Sequence, residues 1–234
     1  FDAMDDATRR LKLREEGALR ISVLPSVAAK WLMPRLPRFR ERHPGVDVLI
    51  SASDLLVDFG REDFHMGLRF GWGRYPGLHV TRLMGDLVFP VCAPRLLKEG
   101  PPLKKPQDLK MHTLLHDDMA RRDESANDWS SWFATAGVTG IDPYRGPAFS
   151  HSSLVLTAAI DGQGVALGRL VLAADDLAAG RLVCPFGPVV ASEMSYYLVS
   201  PPTLAEQPLV TLFRNWLLEE ATDTQERKVD IPAH

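Results

Sequence analysis

Two serine-rich junctions carry side chains that could bind an anion. Ser26 follows an alternating apolar run at positions 19–24, and Ser152 follows Phe149-Ser-His just before a second helix-forming run. A serine at a helix start accepts a hydrogen bond from a free backbone N–H group, and such helix ends favour negative charge. Each serine also fits an ordinary capping role, and the residues leave both interpretations open. If both junctions face one cleft, the pair predicts a site for a carboxylate or a similar anion.

Two arginines flank a glycine-rich segment and could hold a ligand carboxylate. Arg69 lies within an apolar, strand-like run, whereas Arg74 comes directly after Phe70-Gly-Trp-Gly. A guanidinium pairs bidentately with a carboxylate, and glycines such as Gly71 allow the backbone to approach a ligand closely. Arg74 fits better a solvated loop in which it stacks on a neighbouring aromatic ring. Arg69 is therefore the stronger candidate.

The residue pattern gives little support to metal binding or catalysis. His112 and His116 are four residues apart, a spacing that brings two metal ligands together on a helix. Their β-favouring neighbours indicate a strand instead, on which the two side chains would lie about 13 Å apart. The G-x-S-x-G elbow of hydrolases and the G-x-G-x-x-G pattern of dinucleotide sites are both missing. No metal, cofactor or enzyme activity is predicted.

The composition is that of an ordinary globular protein without a basic surface. The 234 residues are 45% hydrophobic and 24% charged, with a net charge of −3 and a pI near 6.2. This balance disfavours direct nucleic-acid binding, so any DNA contact is expected from another part of a longer protein. The two cysteines, Cys92 and Cys184, are far apart in the sequence and do not suggest a disulfide framework, which fits a reducing compartment. Charges interrupt every apolar run before it reaches the length of a membrane span.

Hydrophobic periodicity predicts alternating strands and helices in two blocks. In the first block the strands are expected at 19–24, 46–50, 66–70, 78–84 and 87–92. Between them lie a helical region at 26–42, kinked by Pro34 and Pro37, and a short helix at 53–59 capped by Asp54. In the second block the strands are expected at 113–116, 148–149, 164–167 and 193–199. The helices of this block are expected at 129–136, 152–160, 171–179 and 209–218.

This alternation predicts βαβ units on parallel sheets, arranged as two lobes with a cleft between them. The late strand and the final helix fit the first lobe, which has few helices of its own, so the chain is expected to cross out and back. Residues 1–16 carry a 3-4-3 apolar seam typical of a helix that packs along a partner, and a lone solvated helix fits them nearly as well. Residues 221–234 are polar and expected to be loose.

The chain resembles the effector-binding domain of LysR-type transcriptional regulators. The opening of that domain is similar to Val23-Leu-Pro-Ser-Val-Ala-Ala-Lys-Trp-Leu-Met-Pro-Arg-Leu and to Phe39-Arg-Glu-Arg-His-Pro-Gly-Val-Asp-Val. Leu68-Arg-Phe-Gly and Ala173-Ala-Asp-Asp-Leu-Ala-Ala-Gly-Arg-Leu-Val fit the subgroup that contains the glycine-cleavage and β-lactamase activators. The resemblance covers about residues 5–220.

The resemblance implies an α/β fold of two Rossmann-like subdomains joined by two crossover segments, like a type II periplasmic binding protein. It implies the tail of a linker helix at 1–17, a first regulatory subdomain at 18–91 plus 199–225, a second at 92–198, and a flexible tail at 226–234. It further implies a cytoplasmic regulator without a cofactor or a membrane contact. Such a regulator senses a small-molecule effector, forms a homodimer or homotetramer, and binds DNA through an N-terminal winged helix-turn-helix that this sequence lacks.

The resemblance also implies site residues. Ser26 matches the first-strand contact of the family, Asp58 an acidic pocket position, and Tyr196 the pocket tyrosine of the β-lactamase activators. His151 and Ser152 stand where those proteins have adjacent serines, so the histidine departs from their pattern. The predicted effector-binding residues are Ser26, Val27, Ser53, Asp58, Arg69, Phe70, Gly71, His116, Phe149, Ser150, His151, Ser152 and Tyr196.

Three functions are compatible with a bilobal fold. The leading hypothesis is a sensor in which a small anionic effector biases the arrangement of the lobes. A transporter's solute-binding protein would need an export signal, and the acidic N-terminus does not resemble one. An enzyme would need a titrating nucleophile or base in the cleft, for which Cys92 and His151 are the candidates.

Overall fold

The computed structural model describes residues 18–118 and 128–226, so the predicted seam at 1–16 lies outside the described residues. The strands are β1 (Leu19–Val23), β2 (Val48–Ala52), β3 (Met66–Gly71), β4 (His79–Met84), β5 (Leu87–Val91), β6 (Leu114–Asp117), β7 (Ala148–Phe149), β8 (Val165–Arg169), β9 (Val190–Ala191) and β10 (Ser195–Ser200). The α-helices are α1 (Pro25–Val27), α2 (Leu36–Arg42), α3 (Pro94–Glu99), α4 (Trp129–Ala136), α5 (Ser152–Ile160), α6 (Leu170–Ala178), α7 (Pro202–Ala205) and α8 (Pro208–Glu226). A π-helical turn, Ala28–Leu32, continues α1, and a 3-10 helix spans Pro106–Met111.

The strands form two five-stranded sheets, which define two lobes. The first lobe has the strand order β2-β1-β3-β10-β4, and the second has the order β7-β6-β8-β5-β9. β1 pairs in parallel with β2 and β3, and β6 pairs in parallel with β7 and β8. This arrangement confirms the predicted α/β fold of two lobes. β4 and β5 belong to different sheets, and so do β9 and β10, so the chain crosses between the lobes at these two points. The subdomain bounds inferred above stay a prediction.

The predicted parallel pairing holds for only part of each sheet, because both sheets are mixed. β10 runs antiparallel to β3 and β4, and β5 runs antiparallel to β8 and β9. Each of these antiparallel strands follows one of the two crossovers. A strand that enters a lobe from the other one starts at the edge where the parallel strands end, and it therefore runs in the opposite direction.

The helical region after β1 is interrupted where its prolines predict. The π-helical turn ends at Leu32, and α2 begins at Leu36 with Pro37 in its first turn. Proline lacks a backbone N–H group and its ring clashes with the preceding turn, so it starts a helix but does not continue one. Trp31, in the first of these two pieces, is fully buried and donates from Nε1 to Thr224 Oγ1 at 2.9 Å.

Two local predictions are wrong. The segment at 53–59 forms bends rather than a helix, and Leu55 and Leu56 are 78% and 71% exposed. A helix this short is stable only when one face is buried, which is not the case here. The prediction of a loose tail at 221–234 is also wrong as far as the described residues reach, because α8 continues to Glu226 and its residues Ala221 and Thr224 are buried.

A continuous apolar core joins the lobes behind the cleft. One buried cluster includes Ile21 and Val27 of the first lobe and Val155 and Val171 of the second. A separate cluster within the second lobe contains Cys92, Leu109, Trp129, Trp132 and Phe186. Among the described residues, none of the helices is long and apolar enough to cross a membrane.

Ion pairs also connect the lobes next to this core. Lys30 Nζ lies 3.1 Å from Asp176 Oδ2, and Arg35 Nη1 lies 2.9 Å from Asp175 Oδ2. Arg35 is buried and also donates to the Trp31 carbonyl oxygen at 2.8 Å. Both contacts join the helical region after β1 to α6, so they limit how the lobes can move relative to one another.

Candidate ligand-binding site

A cavity of about 200 Å³ lies between the two lobes. It is lined by Leu24, Ser26, Val27, Asp54, Phe70, Asp117, Ser150, His151, Ser152, Arg169, Leu172, Met194 and Tyr196. Several of these residues stand at or just after the carboxyl ends of the parallel strands β1, β6, β7 and β8. Ligands collect at this edge of an α/β sheet, where loops and helix starts present polar groups.

The two serine junctions meet directly across the cleft. Ser26 Oγ accepts a hydrogen bond from the Ser153 backbone N–H group at 3.0 Å, and its hydroxyl donates to Ser153 Oγ at 3.4 Å. Ser26 lies in α1 of the first lobe, and Ser153 lies in the first turn of α5 in the second lobe. Ser26 therefore caps the helix of the opposite lobe rather than its own.

His151 makes a second bridge between the lobes. Its Nε2 lies 3.2 Å from Asp54 Oδ2, which belongs to the segment after β2. Its Nδ1 is 2.7 Å from Ser150 Oγ. Both side chains of the bridge are partly exposed and line the cavity. The ring nitrogens, the hydroxyl group and the carboxylate together form a polar rim that can exchange hydrogen bonds with a ligand.

Ser26 meets Ser152 and Ser153 at what we call the serine corner. A small chamber lies behind this corner. Ser152 Oγ donates to Asp117 Oδ2, and both residues line a space of about 20 Å³ together with His116 and Asp128. The volume corresponds to about one water molecule, and the lining offers several polar partners. His116 is buried, and its Nε2 lies 3.1 Å from the Arg145 carbonyl oxygen.

Arg169 and Tyr196 form the floor of the cleft, and Asp86 lies buried behind them. Asp86 is buried and receives hydrogen bonds from Tyr196 Oη at 3.1 Å and from the Leu87 N–H group at 3.0 Å. Arg169 Nη1 lies 3.4 Å from Asp86 Oδ2, and its guanidinium carbon lies 4.3 Å from the centre of the Phe70 ring. Arg169 thus combines an ion pair with a cation–π contact, which holds its position.

Burial and nearby charges both shift the pKa values of these groups. Burial raises the pKa of Asp86 above its usual value, although Arg169 and three hydrogen bonds oppose that shift. Burial acts to lower the pKa of Arg169, but Tyr196, Asp86 and Asp117 more than offset it, so the pKa is raised. Burial, reinforced by Asp86, also raises the pKa of Tyr196 well above its usual value. Arg169 is therefore a permanent cation and Tyr196 a neutral donor.

The charges around the cavity are of both signs. Arg169 supplies one cation, and Asp54 and Asp117 supply carboxylates at the opposite walls. Leu24, Val27, Leu172 and Met194 add apolar area. A ligand that fits this lining is small, with an anionic group for Arg169 or the serine corner and hydrogen-bond donors for the two carboxylates.

The described residues give no support to metal binding, and the proposed cysteine nucleophile is remote. No group of three His, Cys, Asp or Glu side chains among residues 18–118 and 128–226 could hold a metal ion. Cys92 is fully buried outside the cleft cavity, and burial, with a contribution from Cys184, raises the pKa of its thiol to about 12. A thiol in this state is not a nucleophile at neutral pH.

Seven of the thirteen predicted site residues line the cleft cavity: Ser26, Val27, Phe70, Ser150, His151, Ser152 and Tyr196. His116 lines the small chamber behind it. Lining a cavity is not yet contact with a ligand, so the role of these residues in binding stays a prediction.

The other five predicted residues do not line either space. Ser53 and Asp58 are exposed or nearly so and make local hydrogen bonds, to the N–H groups of Leu55 and Gly60. Phe149 packs against the larger apolar core. Gly71 is close to Tyr75, because a Cβ atom at position 71 would lie 3.1 Å from the Tyr75 hydroxyl oxygen. Arg69 is buried, and it lines a different cavity on the first lobe.

Sequence reasoning missed Arg169, which lines the cleft, and Asp86, which supports the cleft floor from behind. Arg169 ends β8 directly before α6, which is the same kind of strand–helix junction that drew attention to Ser26 and Ser152. That signal could have found it. Asp86 carried no local signal, because its role depends on partners 83 and 110 residues away in the chain.

Removing the Ser26 hydroxyl should weaken the contact between the lobes. In Ser26→Ala the Ser153 N–H group loses its acceptor, so we expect a loss of about 1 kcal/mol in the free energy of unfolding. That loss corresponds to roughly 2–4 °C in Tm for a domain of this size, measured by differential scanning calorimetry. Ser53→Ala is the matched control, because Ser53 Oγ accepts only a local bond from Leu55 N. Equal losses in the two variants would contradict the interlobe role.

Comparison with known proteins identifies a family of similar chains. The family model described as LysR substrate binding domain matches residues 13–222. The chain is 44% identical over 228 residues to the glycine cleavage system transcriptional activator of Escherichia coli K12, covering 97% of this chain and 73% of that protein. It is 35% identical over 224 residues to the HTH-type transcriptional activator AmpR of Rhodobacter capsulatus, covering 95% and 74%.

A solved structure has the same fold. The X-ray structure of the effector domain of the transcriptional regulator AmpR of Pseudomonas aeruginosa superposes with a TM-score of 0.71 at 32% identity, covering 88% of this chain and 96% of that one. These three relatives are described as transcriptional activators or as a domain of a transcriptional regulator, and none of them as an enzyme or a transporter component.

Proposed function

Since the chain belongs to the LysR family and is the effector-binding domain of a transcriptional regulator, we propose that its interlobe cleft receives a small effector with an anionic group. The observation that carries the proposal is the contact of Ser26 with Ser153 beside an open cavity of about 200 Å³. The cavity has the polar anchors and the size of a small-molecule site. Arg169 and the serine corner would hold the anionic group.

The contacts between the lobes supply the means of regulation. Ser26 with Ser153 and Asp54 with His151 connect the lobes at the cavity itself. An effector that replaces or strengthens these bonds binds one arrangement of the lobes better than another, and it shifts the equilibrium by that difference in affinity. The ion pair of Lys30 with Asp176, on α6, couples the same change to the helices behind the cleft.

We extend the proposal to the intact regulator by likeness to its relatives. The AmpR proteins are described as HTH-type activators, so DNA contact is assigned to a helix-turn-helix segment separate from the effector-binding domain. The same likeness supports a homodimer or homotetramer in the cytoplasm. The relatives favour this function over a transporter's solute-binding protein of the same fold.

A ligand screen tests the effector site. Small carboxylic acids and amino acids would be tested by differential scanning fluorimetry on the wild-type chain. A true effector at a hundredfold excess over its Kd adds roughly 2.7 kcal/mol of stability, which corresponds to about 5–10 °C in Tm. The affinity of the same compound for Ser152→Ala and His151→Ala should be lower, because both side chains line the cavity.

A variant on the same lobe serves as the control. Ser130→Ala changes a serine of α4 that does not line the cleft, and it should keep the full ligand response. If no compound stabilises the chain, or if one stabilises all three variants equally, the cleft is not the effector site.

A further inference from the structure

A second cavity, of about 180 Å³, lies on the first lobe. It is formed by the segment that follows β2, the loop that follows β3, Arg69 and Val199. None of its lining residues belongs to the cleft cavity. It is therefore a separate space that the proposed effector function does not use.

Arg69 is a buried cation at this cavity. The residue is only 3% exposed, and its terminal nitrogens donate to neutral oxygens: the carbonyls of Ser22, Leu68 and Leu55 and the Ser22 hydroxyl. It makes no ion pair within the part of the chain that the structure describes. Burial lowers the pKa of Arg69, and the charges of Tyr75, Asp54 and Glu62 offset that shift only in part.

Arg74 and Tyr75 bring further polar groups to the same cavity. Arg74 is exposed and has no ion pair or hydrogen bond among the described residues. Tyr75 lies close enough to Arg69 for the two to interact electrostatically, although burial dominates and raises the pKa of Tyr75. Two guanidinium groups and a phenol thus face a space whose lining contains no carboxylate.

The remaining wall of the cavity is apolar. It consists of Leu56, Val57, Phe59, Pro76, Leu78 and Val199. An inorganic ion would satisfy the arginines but would leave this wall in contact with water. An apolar molecule would cover the wall but would leave Arg74 without a counter-charge. Both halves of the lining are satisfied by one molecule that has an anionic head and a compact apolar body.

We propose that this cavity is a second ligand site, separate from the cleft, for a small monocarboxylic acid with a compact aliphatic or aromatic body. The carboxylate pairs with Arg74 and adds a negative charge near the buried Arg69, with Tyr75 as an additional donor, and the body packs against Val57 and Leu78. The proposed site and the cleft share strand β3, on which Arg69 lines the site and its neighbour Phe70 lines the cleft.

Trp72 provides a built-in reporter for this site. It is 50% exposed and lies with Arg74 and Tyr75 at an adjoining open depression. The other four tryptophans of the chain, all described, are buried: Trp31, Trp129, Trp132 and Trp216. Acrylamide quenching of tryptophan fluorescence therefore reports mainly on Trp72, and a ligand at the proposed site should reduce it.

The test uses 4-methylpentanoate as the probe and its uncharged amide as the comparison. We expect saturable binding of the acid by isothermal titration calorimetry, together with protection of Trp72. Arg74→Gln should weaken binding of the acid by about 10- to 100-fold, because a charge-assisted hydrogen bond is lost. Arg40→Gln, which changes an exposed arginine elsewhere on the lobe, should bind like the wild type.

A second variant separates the cavity from a nonspecific surface charge. Val57→Trp leaves both arginines in place but fills the space, and it should abolish binding. Saturable binding that survives in both Arg74→Gln and Val57→Trp would overturn the proposal, as would binding lost only in the cleft variant Ser152→Ala. Failure of the acid to bind the wild type at millimolar concentrations, or equal binding of the amide, would overturn it as well.

Discussion

The Asp86→Ala variant is expected to lose about 3–5 kcal/mol in the free energy of unfolding, the cost of breaking a buried ion pair from one side. Arg169 would remain at the cleft floor without the carboxylate 3.4 Å away, and Tyr196 Oη and the Leu87 N–H group would lose their acceptor. For a chain of this length the loss corresponds to roughly 6–20 °C in Tm. Calorimetry and urea denaturation would measure it.

Two other variants identify the cause of that loss. Asp63→Ala removes the exposed carboxylate paired with Arg20 and should cost less than about 1 kcal/mol. Asp86→Asn keeps an acceptor for the Leu87 N–H group and removes the buried charge, so it should lose less than Asp86→Ala. Similar losses in Asp63→Ala and Asp86→Ala would contradict a structural role for the buried pair.

The contribution of Asp86 to stability depends on pH with a definite sign. Burial raises the pKa of Asp86 in the folded state, so the native chain holds this proton to a higher pH than the unfolded chain does. The stability associated with protonated Asp86 is fully present below an unfolded pKa of about 3.9 and is lost as the pH rises through the folded value. Since Asp86→Asn lacks this titration, its stability relative to the wild type should increase over that pH range.

Periodicity and capping predicted the elements that local residues determine. The bounds predicted for α4 and α5 are those observed, 129–136 and 152–160. Asp128 accepts a hydrogen bond from the Ser131 N–H group at 2.8 Å, and Gly137 ends α4 with a left-handed backbone. Both signals are present in the sequence, so both ends of this helix could be predicted.

The site was only partly predictable, because its floor depends on the crossovers. Arg69 and Phe70 were predicted to share one site, yet adjacent residues on a strand point to opposite faces of the sheet. Phe70 lines the cleft and Arg69 lines the second cavity. Strand alternation alone separates these two residues. The pairing of Asp86 with Arg169 and Tyr196 needs β5, β8 and β10 to be placed in space, which no local pattern supplies.

Gly146→Ala is expected to cost about 3 kcal/mol or more and to displace the corner that carries His151. A Cβ atom at position 146 would lie 2.0 Å from the Leu114 carbonyl oxygen, a backbone atom that cannot move aside, and the residue has φ +139°. The chain would have to separate β7 from β6, where the His116 N–H group donates to the Pro147 carbonyl oxygen at 3.0 Å. Urea denaturation measures the loss, and the ligand response of the cleft should fall with it.

Gly137→Ala is the matched control for this prediction. Gly137 has φ +65°, but no atom lies within 4 Å of the position that its Cβ would take. The variant therefore adds only the strain of a left-handed backbone, about 1–2 kcal/mol, and it leaves β7 and the cleft in place. If the two alanine variants lose the same stability and both keep the full ligand response, the close contact of Gly146 with Leu114 does not position the His151 corner.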